Sequence, residues 1–171
     1  VIPKPRLASS LQEALAQGPF DVALFALKSY DTQAALDSFA GSIGDLPPVL
    51  CLQNGVENEL RLAQVLGEDR VIAGTVTSAI GRIAAGDIAL ERLRGVGIAA
   101  GSPLSAQLSQ AFSAAGLNAR LYPSAPAMKW SKMLTNLLAN ATSAILDMTP
   151  AEIFNHPGIY RLEVKQLREA L

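Results

Sequence analysis

Lys132, Asn136 and Asn140 recur at four-residue spacing inside the otherwise apolar stretch KWSKMLTNLLAN. Residues i and i+4 share one face of a helix, so these side chains form a polar stripe beside Met133, Leu134, Leu137 and Leu138. A stripe facing water would carry flexible charges, whereas this one offers asparagine twice. Asparagine is a poor helix former whose amide donates and accepts at once. Two readings follow: the asparagines bond neighbouring helices, or they hold a ligand bearing hydroxyl and carbonyl or carboxylate oxygens. A lysine in such a stripe, its pKa lowered by burial, can give a proton to a developing alkoxide near neutral pH. Lys129 is the competing donor, but it lies off the register that joins Lys132 to both asparagines. Trp130, the only tryptophan, is read as a packing anchor rather than a substrate platform.

Two further polar features sit where strands are expected to end. Lys28 closes the apolar run DVALFAL, and Gln53-Asn54-Gly55 follows VLCL. In an open parallel sheet, ligands gather at the carboxyl ends of the strands. Either feature alone is an ordinary solvated lysine or an ordinary turn; their recurrence at equivalent strand ends is what marks them. GVGIAAG (95–101) has the spacing G-x-G-x-x-x-G, which departs from a dinucleotide-binding turn, and it is read as a strand among tight turns.

The elements that position these residues follow from periodicity. SSLQEALAQG, a segment from SYDT capped by Ser29 or Asp31, and VENELRLAQVLG read as helices; FDVALFALK and VLCLQ read as strands buried on both faces. Alternation of this kind predicts an α/β chain with a parallel sheet. The β-branched, glycine-rich run from Arg70 to Gly101 predicts three strands, SPLSAQLSQAFSAAG a helix, and NARLYP a last strand. PSAPA (123–127) is the expected hinge, dividing an α/β part (1–122) from a helical part (123–171). Past it, 127–147 reads as one long helix and TPAEIFNHPG as a short helix ended by a Pro-Gly turn.

Composition narrows the function classes. The chain has 171 residues, 50% hydrophobic and 17% charged, enough apolar material for a core. A net charge of −1 with both signs scattered provides no basic field for nucleic acid or an anionic membrane. Cys51, the only cysteine, is expected to be a buried structural thiol, and with a single histidine, His156, no metal is expected. No apolar stretch reaches the roughly 18–20 residues of a membrane span, so a cytoplasmic location is expected. The sequence begins without methionine and ends inside a helical pattern, so it is expected to be the interior of a longer protein.

LFALKSYDT, LCLQNGVENE, GTVTSAIG and KWSKMLTNLLANATSAI, in this order, resemble the ketopantoate reductase (2-dehydropantoate 2-reductase) family across nearly the whole chain. The resemblance implies an incomplete Rossmann-type NADP-binding domain followed by the start of a helical domain like the C-terminal domain of 6-phosphogluconate dehydrogenase. It implies that NADPH reduces a small 2-keto acid, ketopantoate, on the route to coenzyme A. Lys132 would donate the proton, Asn136 and Asn140 would bind the substrate's hydroxyl and carboxylate end, Asn54 would sit beside nicotinamide and substrate, and Lys28 would contact the cofactor. Such a piece is expected to be inactive alone, and an exposed sheet edge invites association, including a homodimer. LDMTPAE stands where some members carry a further substrate-binding asparagine. Related 2-keto-acid or polyol dehydrogenases, and a non-catalytic nucleotide-binding protein, are the alternative readings.

Overall fold

The computed structural model describes residues 5–171; the first four residues, at the start of VIPKPRLASS, lie outside it. Helix α1 (Leu11–Leu15) begins where the Ser10 hydroxyl accepts the Glu13 N–H. The chain then alternates β1 (Ala23–Phe25), α2 (Thr32–Ser38), β2 (Val49–Cys51), α3 (Asn58–Leu66) and β3 (Val71–Val76). Next come β4 (Ala79–Ala84), β5 (Asp87–Arg92), β6 (Val96–Ala99), α4 (Ser105–Ala114) and β7 (Ala119–Tyr122). The rest is helical: α5 (Ala125–Leu137), α6 (Asn140–Leu146), α7 (Pro150–Asn155) and α8 (Pro157–Ala170).

Strands β1, β2 and β3 are parallel, as the alternation predicts, in a sheet ordered β1-β2-β3-β6-β7. Val49, Leu50 and Cys51 are all buried, and they serve opposite faces in turn. Val49 and Cys51 pack with Phe25, Leu36, Leu62 and Leu66, under α2 and α3; Leu50 packs with Ile72, Ile98 and Leu108, under α4. A strand whose side chains alternate between two covered faces must be apolar throughout.

The segment from Arg70 to Gly101 holds four strands rather than three, because the chain leaves the sheet at Thr77–Ser78. Strands β4 and β5 then pair only with each other. The chain returns as β6, antiparallel to β3, with Val96 opposite Val76 and Ile98 opposite Gly74. The sheet is therefore mixed. GVGIAAG does contain a strand, β6, and its second glycine has a packing role: a Cβ on Gly97 would meet Met128 Sδ of α5 at 2.9 Å.

Proline positions account for two more differences. PSAPA starts a helix instead of interrupting the chain: Ser124 caps α5 and Pro126 lies in its first turn, where a missing N–H costs nothing. Pro157 likewise opens α8, with His156 Nδ1 accepting the Ile159 N–H, so the expected Pro-Gly turn is a helix start. Helix α7 begins with a capping box between Thr149 and Glu152. The long helix expected over 127–147 is two helices, α5 and α6, separated at Leu138 (extended) and Ala139, whose φ is +61°. No helix among the described residues is long and apolar enough to cross a membrane.

Candidate active site

The site is built where α5 meets the carboxyl ends of the parallel strands. Gln53 is buried just past β2, and its amide nitrogen donates to the Leu27 carbonyl and to Thr32 Oγ1, both at 2.9 Å. This stitches the end of β1 to the end of β2. Lys28 and Asn54, the residues next to the stitched pair, are left exposed on neighbouring strand ends. The Asn54 carbonyl accepts from the Asn58 side chain at 2.7 Å, which fixes the turn into α3.

Lys129 ties α5 to this rim. It is 5% exposed, and its Nζ donates to the Gln53 carbonyl at 2.8 Å and the Gly74 carbonyl at 3.1 Å, while a carboxylate oxygen of Glu59 lies 2.6 Å away. A lysine buried against two carbonyls and a carboxylate is committed to holding structure. Lys132, one turn on, is half-buried and has none of these partners. Burial holds its pKa below the usual lysine value, and the positive charge of Arg94 adds to the effect. Arg94 precedes β6, and its neighbour Gly95 is bonded to Thr77 at the end of β3, so this arginine stands at the same end of the sheet.

Asn136 and Asn140 line one pocket of about 460 Å³, together with Gln166 and Glu169 of α8. The stripe expected on one continuous helix is thus distributed over two: Lys132 and Asn136 in α5, Asn140 at the start of α6. The structure groups Asn136 with Asn140, and Lys28 with Asn54. Lys132 lies along α5 between these groups. Trp130, expected to anchor packing, is 43% exposed. Cys51 is buried as expected, and burial, then the nearby Glu59 charge, pushes its thiol up to about 12. It is no nucleophile at neutral pH.

Sequence reasoning missed Glu59, Arg94 and Glu163. The Glu163 carboxylate accepts the Ala139 N–H at 2.8 Å and the Thr142 hydroxyl, at the break between α5 and α6. A signal for it existed: Glu163 occupies the inward register of α8 between Ile159 and Leu167, where an apolar residue would be expected.

Residues 3–102, more than half of the chain, match the family model described as Ketopantoate reductase PanE/ApbA. The chain belongs to this ketopantoate reductase family. It is 30% identical over 159 residues to 2-dehydropantoate 2-reductase of Halobacterium salinarum, covering 88% of this chain and 51% of that protein. A PanE/ApbA family ketopantoate reductase from Ralstonia eutropha JMP134 superposes with a TM-score of 0.78 at 28% identity, covering 91% of this chain and 52% of that one. D-mandelate dehydrogenase in complex with NADH superposes with a TM-score of 0.76 at 19% identity, over 89% of this chain and 52% of its own, a likeness of fold alone. The chain spans about half the length of the curated relatives it matches. The ketopantoate reductase fold accounts for the Rossmann-like α/β arrangement and for the helices that follow it.

Proposed function

We propose that the protein containing this chain reduces 2-dehydropantoate to pantoate with NADPH, a step toward coenzyme A. The carrying observation is Lys132: a half-buried lysine of lowered pKa, on the helix whose last turn opens the Asn136–Asn140 pocket. NADPH, when bound, supplies the hydride. Lys132 Nζ gives its proton to the ketone oxygen, completing the alcohol. Asn136 and Asn140 hold the substrate's hydroxyl and carboxylate end, since an amide can donate to one and accept from the other.

The strand ends fit one flank of a nicotinamide dinucleotide. Lys28 and Asn54 are exposed side by side on the rim, and Gly55, with φ +105°, keeps the turn beside Asn54 free of a Cβ. Lys28 would contact the cofactor, and Asn54 both nicotinamide and substrate. The proposed division is a cofactor-binding part (1–122) and a helical substrate part (123–171), with this stretch inactive by itself.

The test is 2-dehydropantoate-dependent NADPH oxidation by the complete protein and its Lys132→Ala variant. Turnover that falls by about a hundredfold or more supports the reading; turnover that survives the substitution refutes Lys132 as the donor. The segment LDMTPAE, where some members of the family carry a further substrate-binding asparagine, favours a second reading, a related 2-keto-acid dehydrogenase using NAD(H) or NADP(H). A panel of keto acids with both reduced cofactors separates the two.

A further inference from the structure

Glu163 is 1% exposed, yet it carries a carboxylate and sits on the inward register of α8. Its partners belong to the segment that separates α5 from α6. One oxygen accepts the N–H of Ala139, the residue held at φ +61°, and the other accepts the Thr142 hydroxyl in the first turn of α6. A non-glycine residue in the left-handed region persists only where its surroundings over-determine it. Here two charge-assisted bonds from an anchored carboxylate do so.

The break separates the two asparagines of the pocket. Asn136 lies near the end of α5 and Asn140 opens α6, so their relative placement depends on the geometry at 138–139. Helix α8 supplies both the clasp and the opposite wall: Gln166, three residues beyond Glu163, and Glu169, six beyond, line the same pocket. We propose that Glu163 is a positioning residue of this pocket, whose two hydrogen bonds to Ala139 and Thr142 set the placement of Asn136 and Asn140 toward a 2-keto acid. The role in turnover rests on the proposed function; the placement does not.

The test uses the complete protein and the variants Glu163→Ala, Glu163→Gln and Thr142→Val, with selective 15N labelling of asparagine. In Glu163→Ala, KM for the keto acid rises about tenfold or more while KM for NADPH stays unchanged, since lost hydrogen bonds to a charged group act on one subsite only. Glu163→Gln recovers most of that loss, because its amide oxygen accepts from Ala139 and its nitrogen donates to Thr142 Oγ1. Unchanged keto-acid KM in Glu163→Ala overturns the proposal, as does equal impairment in Glu163→Gln. Should Glu163→Ala not fold, Thr142→Val removes one bond and must raise the same KM; no rise overturns the proposal equally. Independently of turnover, the side-chain amide resonances of Asn136 and Asn140 shift in Glu163→Ala or Thr142→Val. If the parent protein reduces no 2-keto acid, the proposed function fails, and these resonances still decide the placement: shifted amides sustain it and unmoved ones overturn it.

Discussion

The ammonium of Lys129 and the carboxylate of Glu59 stand 2.6 Å apart at the junction of α5 with the sheet, their side chains 4% and 17% exposed. The ammonium also takes the carbonyls of Gln53, just past β2, and of Gly74, within β3. Removing one member of a buried pair leaves the other charge without compensation, at a cost of about 3–5 kcal/mol. Lys129→Met is therefore expected to lower the denaturant midpoint of the complete protein strongly. Glu59→Gln leaves the ammonium its bonds to the Gln53 and Gly74 carbonyls, and should lower it less. Equal midpoints for parent and Lys129→Met in urea unfolding would sink this account.

Lys132 should report Arg94 through pH. Reduction requires the lysine protonated, so activity falls as pH rises through its pKa. Burial and then Arg94 hold that pKa low, which brings the fall to lower pH than an unperturbed lysine would give. Removing the Arg94 charge raises the pKa, so in Arg94→Ala the alkaline limb of the keto-acid kcat/KM profile moves to higher pH. A limb that stays in place, or moves to lower pH, contradicts the assignment of Lys132 as the acid.

Cys51 offers a check on packing. With its thiol pushed up to about 12, the thiolate fraction at pH 8 is on the order of one in ten thousand. A thiol reagent at pH 8 should leave the native protein unlabelled over the time in which it labels the urea-unfolded protein fully. Rapid labelling of the native state would mean that β2 is not the buried strand described.

The sequence carried the parallel strands, the strand-end polar residues and most helix starts, because each is written locally. The run VLC is apolar on both faces, and Ser10, Ser124 and Thr149 are caps of the expected kind. The break at 138–139 was not legible, since no glycine or proline marks it and its determinant, Glu163, lies 24 residues downstream of Ala139. The structural role of Lys129 was not legible for the same reason: its burial is decided by Glu59 and Gly74, far away in the chain. Thr77–Ser78 carries no glycine or proline, so β3 and β4 read as one strand. Pro126 and Pro157 read as breakers until their place in a first helical turn is known.

The reversal at β6 divides the labour along the rim. On one side, the rim is made of segments that leave parallel strands and lead into helices; these carry Lys28 and Asn54. On the other, it is made of a segment that enters a strand from a free-standing hairpin, and this carries Arg94. Lengthening or recharging the approach to β6 changes what stands near Lys132 and leaves β1–β3 with their registers intact. The proton donor's electrostatic setting and the frame beneath it are thus written in separate stretches of chain, and each can drift without undoing the other.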